Sequence, residues 1–192
     1  MWIFENTINT RPILPDSIKY IRSDVPVKVS EAEREELVKN GVTTVIDLRT
    51  DGERAKKPCA LMGDGRFDYL RFTVAGGNEP PHTPDEVSLS YFRMLDESFE
   101  ELMGIMLNAK SNVLYFCNAG KDRTGIVTAV LLHRLGMPRE YIVADYMKSA
   151  ENLKGFLAEY VVKNPGMDLD VITPRARYME EFLDLYEGKK IE

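Results

Sequence analysis

At 192 residues and 44% hydrophobic, the chain is long enough to bury a sizeable core and to build an enzyme. Its 25 lysines and arginines against 31 aspartates and glutamates give a formal net charge of -6, which argues against broad attraction to nucleic acid or an anionic membrane. An anionic ligand would need a local positive site.

No basic stretch followed by an apolar one opens the sequence, and the apolar runs fall short of a membrane span, so a cytoplasmic protein without stable membrane insertion is expected. Two cysteines, Cys59 and Cys117, are too few for a disulfide framework or a cysteine-based zinc site. Cys59, in Lys-Lys-Pro-Cys-Ala, reads as a small apolar loop residue. With no repeat, low-complexity run or long linker, the chain is read as a single domain over residues 1–192.

In chain order, Ser30 and Glu33 form a capping box for a helix ending near Asn40 and Gly41, and Val42 to Leu48 follows as an apolar strand. Tyr69 to Val74 and Asn112 to Cys117 are further strands, short and rich in β-branched or aromatic residues. Between them, Thr83, Pro84 and Glu86 signal one helix start, and Ser98 with Glu101 signals a second helix ending near Ala109. Helical crossovers between strands favour parallel pairing.

After Thr124 the run Ile126, Val127, Ala129, Val130, Leu131, Leu132 is apolar on most sides, so this helix is predicted to lie buried against the sheet until Gly136. Pro138 opens a helix through Tyr146, and Leu153, Phe156, Leu157, Tyr160 and Val161 mark the inner face of another. Thr173 and Pro174 begin the last, with Tyr178, Phe182, Leu185 and Tyr186 on one face. The predicted fold is α/β, a mostly parallel central sheet flanked by helices, with a helical C-terminal half.

The segment Cys117-Asn118-Ala119-Gly120-Lys121-Asp122-Arg123-Thr124-Gly125 sets a cysteine at a strand end and an arginine just before a buried helix. Such a loop is an anion cradle. Its N–H groups can converge on an oxyanion, the helix macrodipole adds positive potential, and Gly120 allows a tight turn. The same field favours a thiolate at Cys117, while the planar fork of Arg123 suits bidentate binding of phosphoryl oxygens. Gly-Lys also occurs in nucleotide P-loops, but those need glycine where Tyr115 stands and Ser or Thr where Asp122 stands. A lone buried cysteine is more often structural, a reading that weakens when an arginine follows it across five residues into a helix.

The loop resembles the signature of the protein tyrosine phosphatases, in the wording of a bacterial branch whose members add phosphoserine, phosphothreonine or phosphoinositide activity. Further matches lie in Tyr20-Ile21-Arg22-Ser23-Asp24, in Thr44-Val45-Ile46-Asp47-Leu48-Arg49 followed by Glu53, and in Pro138-Arg139-Glu140 leading to Ala144-Asp145-Tyr146. The resemblance implies the cysteine-phosphatase fold, a covalent cysteinyl-phosphate intermediate, and no metal or organic cofactor.

On this basis the expected catalytic residues are Cys117, Arg123 and Asp122, with Asn118, Ala119, Gly120, Lys121 and Thr124 contacting substrate. The Thr124 hydroxyl either bonds the sulfur or satisfies the helix start. Lys121 either reaches a second anionic group or is solvated. Arg22, Asp47 and Arg49 can brace the loop, and Arg49 with Glu53 can form a simple ion pair.

Two features depart from the family pattern. The histidine usual before the nucleophile is Phe116 here, and no Trp-Pro-Asp supplies a general acid, the one tryptophan being Trp2. Asp122 is the first candidate for that acid, against a structural ion pair; Asp85 is second, beside a stretch from Gly76 to Pro84 that could form a lid, and Glu79 is weaker. The expected activity is hydrolysis of phosphotyrosine or a related phosphate monoester on a protein or phospholipid; the alternatives are a phosphoinositide phosphatase and a catalytically weak phosphate-binding module.

Overall fold

A computed structural model describes residues 4–75 and 81–189 of the chain. Its sheet has five strands in the order β1-β2-β5-β3-β4: β1 (Arg11–Leu14), β2 (Ser17–Asp24), β3 (Val42–Asp47), β4 (Asp68–Arg71) and β5 (Asn112–Cys117). Only the β1/β2 hairpin is antiparallel, so the sheet is mostly parallel as expected. Around it lie α1 (Glu31–Lys39), α2 (Asp51–Lys56), α3 (Val87–Phe92), α4 (Glu97–Asn108), α5 (Asp122–Arg134), α6 (Arg139–Asn152), α7 (Lys154–Lys163), α8 (Leu169–Ile172) and α9 (Ala176–Lys189).

Strand β5 is central and buried throughout after Asn112. Side-chain alternation sends Val113, Tyr115 and Cys117 into one apolar cluster with α5 residues Ile126, Val127 and Val130, and Leu114 and Phe116 into a second with Phe4, Ile21, Leu37 and Phe67. Register brings the carboxyl ends of three parallel strands level: Asp24 pairs with Cys117, and Asp47 with Phe116. That edge is where an open α/β sheet offers a crevice.

Several boundaries differ from those read in the sequence. Strands β1 and β2 were not foreseen, because Pro12 and Lys19 interrupt the pattern and Arg22 occupies a fully buried position. Pro12 is tolerated because β1 is an edge strand. Strand β4 stops at Arg71, although Phe72 and Val74 still donate to the carbonyls of Asp47 and Leu48.

Pro84–Glu86 is a 3-10 turn without a side-chain cap from Thr83; Glu86 instead accepts from the His82 amide. Helix α4 is capped by Asp96, which also takes the Ser98 hydroxyl. Helix α6 runs on past Tyr146 to Asn152. Of the expected inner faces, Leu153 and Leu157 are buried but Phe156, Tyr160 and Leu185 are exposed, while Met179 and Leu183 are buried in α9. Among the described residues no helix is long and apolar enough to cross a membrane.

Candidate active site

Cys117 ends β5 at the level where β2 and β3 also end, and the chain then turns through residues 118–121 into α5. Three carbonyls of this turn are held from outside. The Val25 amide donates to Asn118 O at 3.3 Å; Asn9 Nδ2 donates to Ala119 O at 3.1 Å and Gly120 O at 2.9 Å; Arg22 Nη2 donates to Gly120 O at 2.8 Å. A planar trans peptide puts N–H opposite C=O, so carbonyls pinned outward turn the amides of Ala119, Gly120 and Lys121 inward. They form a nest of donors at the N-terminus of a 13-residue helix.

Gly120 makes the turn possible. Its φ is +64°, and a Cβ there would fall 2.4 Å from Ser23 O and 2.6 Å from Asp24 N. The loop thus lies against the β2 backbone closely enough to admit glycine only.

Arg123 lies in the first turn of α5, with Nη1 donating to Glu53 Oε2 at 2.7 Å and Nη2 to Glu53 Oε1 at 2.6 Å. Glu53 uses the terminal edge of the guanidinium, which leaves the Nε edge for a second bidentate partner. Burial alone would lower Arg123, but the Glu53 bonds and the nearby Cys117 and Glu53 charges outweigh it and hold the guanidinium above its ordinary value. Hydrogen bonding to Arg123, above all, lowers the Glu53 carboxyl to about 2.

Of the two readings of Arg49, bracing the loop or a simple ion pair with Glu53, the ion pair does not form. Arg49 instead pairs with Asp47 at 2.8 and 2.7 Å, both side chains fully buried. Glu53 is the acid of a capping box with Thr50 at the start of α2, which fixes its position. Thr-x-x-Glu in the sequence signals that cap, but nothing in the spacing signals Arg123 as its partner. Asn118 joins the same group, giving Nδ2 to Glu53 Oε1 at 2.6 Å and accepting from Arg49 at 3.5 Å.

Behind the loop lies a buried polar network. Arg22 pairs with Asp145 at 2.6 Å, and Arg11 reaches the same carboxylate at 3.0 Å. Burial alone would raise Asp145, but the two arginines outweigh it and hold the carboxyl below its ordinary value. Burial and the Arg22 charge lower Arg11 to about 10. Asn9 and Arg11, unremarked in the sequence, thus join Arg22 in bracing the loop.

The remaining expected residues fall as follows. Lys121 is buried, with Nζ bonded to Ile172 O at 2.6 Å and 3.0 Å from Asp122 Oδ1, so it is neither solvated nor directed outward. Asp122 Oδ1 also accepts the Tyr91 hydroxyl at 2.6 Å. The Thr124 hydroxyl is buried without a hydrogen-bond partner, so in this structure it neither bonds the Cys117 sulfur nor satisfies the helix start.

Asp85 is exposed and lies 3.4 Å from Arg177; Glu79, most of the Gly76 to Pro84 stretch and Trp2 lie outside the described residues. Cys59 packs in the second cluster, where burial pushes its thiol up, in keeping with an inert apolar role. Among the described residues no three His, Cys, Asp or Glu side chains are grouped to hold a metal ion.

A model of the tyrosine phosphatase family matches residues 16–189. The chain is 34% identical over 146 residues to a tyrosine-protein phosphatase of Nostoc commune, covering 71% of this chain and 50% of that protein. It is 24% identical over 188 residues to the triple specificity protein phosphatase PtpB of Mycobacterium tuberculosis, covering 79% of this chain and 68% of that protein. The solved structure of P. aeruginosa TpbA shares 17% identity at a TM-score of 0.47, over 93% of this chain and 91% of that one. The chain spans about half to two thirds of the length of these curated relatives.

Proposed function

The chain belongs to the tyrosine phosphatase family, and from that premise we propose that it hydrolyses phosphate monoesters, phosphotyrosine first among them, by two displacements at Cys117. One observation carries the reading: the loop after Cys117 has its carbonyls drawn outward by Asn9, Arg22 and Val25, opposite an arginine whose Nε edge is left open by Glu53.

In the first displacement the Cys117 thiolate attacks phosphorus. Inward amides and the Arg123 fork bind the equatorial oxygens as charge spreads over them, and Asp122 protonates the leaving oxygen. In the second, water attacks the cysteinyl phosphate and the thiolate departs. The unpartnered Thr124 hydroxyl supports a role as donor to that departing sulfur. A phosphoinositide preference is less well supported, because Lys121, the loop's own lysine, is committed to Ile172 and Asp122.

The test is phosphate release from an aryl phosphate, from mildly acidic to neutral pH, under reducing conditions with chelator present. Wild type is expected to turn over and Cys117→Ser to be inactive, with phosphotyrosyl peptide preferred over phosphoinositide micelles by kcat/KM. No release by a folded wild type that still binds phosphopeptide would sink the hydrolytic reading in favour of a binding module.

A further inference from the structure

Asp122 has a buried pair of hydroxyls behind it. The Tyr91 hydroxyl donates to Asp122 Oδ1 at 2.6 Å and lies 2.8 Å from the Tyr146 hydroxyl. Both tyrosines are closed to solvent, and their rings meet edge to face at 6.1 Å. Burying a phenol hydroxyl costs free energy unless it is paired. Here the pairing is mutual and ends on the loop carboxylate.

A hydroxyl both donates and accepts. The pair can therefore serve Asp122 in either protonation state. With a carboxylate, Tyr146 donates to Tyr91 and Tyr91 to Asp122 Oδ1; with a carboxylic acid protonated on Oδ2, Tyr91 keeps the same bond to Oδ1 and the proton stays free for the leaving oxygen. Lys121 Nζ also lies 3.0 Å from that oxygen, as a second donor.

We propose that Tyr91, backed by Tyr146, is the positioning residue for leaving-group protonation, holding the Asp122 carboxyl in one orientation through both halves of the reaction. The inference rests on Asp122 being the general acid. In the first half the Cys117 S–P bond forms, the P–O bond to the leaving group breaks, and the leaving oxygen takes the Asp122 proton. Tyr91 then donates to the carboxylate that remains. In the second half water attacks phosphorus and gives its proton to Asp122, and the S–P bond breaks to return the thiolate and release phosphate.

The experiment compares kcat/KM for phenyl phosphate, a poor leaving group, with 2,4-dinitrophenyl phosphate, a good one. Tyr91→Phe keeps the ring and removes the hydroxyl. It should lose about tenfold more on the poor leaving group than on the good one, since departure of a weakly basic phenolate gains little from an acid. In an Asp122→Asn background, Tyr91→Phe should add no further discrimination.

Equal losses on both substrates in Tyr91→Phe, or discrimination that persists undiminished in the Asp122→Asn background, overturn the proposal. Asp122→Asn alone separates the two readings: if it discriminates while Tyr91→Phe does not, only the positioning role fails, and if it does not discriminate, the general acid has been misassigned and both fall. Should Tyr91→Phe not fold, Tyr146→Phe, which leaves both ends of the Tyr91–Asp122 bond in place, decides by the same ratio.

Discussion

Replacing Glu53 by glutamine tests the link between α2 and the loop after Cys117. Its carboxylate receives five donors: Arg123 Nη2 and Asn118 Nδ2 on Oε1, and Arg123 Nη1, the Thr50 amide and the Thr50 hydroxyl on Oε2. Glutamine offers one acceptor oxygen and an NH2 group, so whichever way the amide turns, at least two donors lose their acceptor. Lowering a carboxyl from its ordinary 4.5 to about 2 favours the carboxylate by about 3 kcal/mol, and solvent contact over 27% of the side chain screens this to about 2 kcal/mol.

The sign follows from the direction of the shift. Glu53 is held below its unfolded value, so its contribution is fully present above about 4.5 and fades as pH falls through about 2. Urea unfolding should therefore separate wild type from Glu53→Gln by about 2 kcal/mol at pH 7 and by about 1 kcal/mol at pH 3. In steady-state assays on an aryl phosphate near neutral pH, the unpinned Arg123 should lower kcat/KM by about 10- to 100-fold. A stability gap that is the same at both pH values, or a kcat/KM within twofold of wild type, would refute the reasoning.

Three other substitutions probe separate parts of the site. Gly120→Ala places a Cβ 2.4 Å from Ser23 O at a φ of +64°, so activity should collapse and thermal unfolding should show a loss of more than about 2 kcal/mol. Asp145→Ala leaves the buried Arg22 and the partly buried Arg11 without their shared carboxylate and should cost about 3 to 5 kcal/mol in chemical denaturation. Thr124→Val replaces an unpartnered buried hydroxyl by a methyl group, so stability should hold or rise slightly. If that hydroxyl assists departure of sulfur, rapid-quench assays of Thr124→Val will show a larger initial burst followed by slower steady turnover.

The parts of the site contiguous in sequence were legible there. Strand, cysteine, glycine-bearing turn, arginine and helix all lie between Asn112 and Arg134, and local rules of periodicity and turn chemistry suffice for them. What holds the loop in shape comes from far away: Glu53 is 70 residues from Arg123, Asp145 is 123 from Arg22, and Asn9 is 111 from Gly120. No spacing rule pairs residues across such distances. The same cause hid β2, where Arg22 is an interior residue only because Asp145 and Gly120 O receive its charge and its protons. Lys121 misled for the opposite reason: a lysine in a glycine-bearing loop reads as solvated until a carbonyl 51 residues away takes it.

Phe116 illustrates how such distant contacts alter the meaning of a motif. By strand alternation its ring faces away from Cys117, into the cluster with Phe4, Ile21 and Leu37. There the Arg49 guanidinium lies over it, 5.4 Å from the ring centroid, at a distance suited to a cation–π contact. Arg49 is held by Asp47, which also accepts the Tyr69 hydroxyl at 2.6 Å, and it extends to Asn118 Oδ1 at 3.5 Å. Arg49, just beyond the end of β3, thereby brings a polar contact to the loop. Position 116 supplies the aromatic surface on which that arginine rests, so an aromatic ring before Cys117 is compatible with a braced loop.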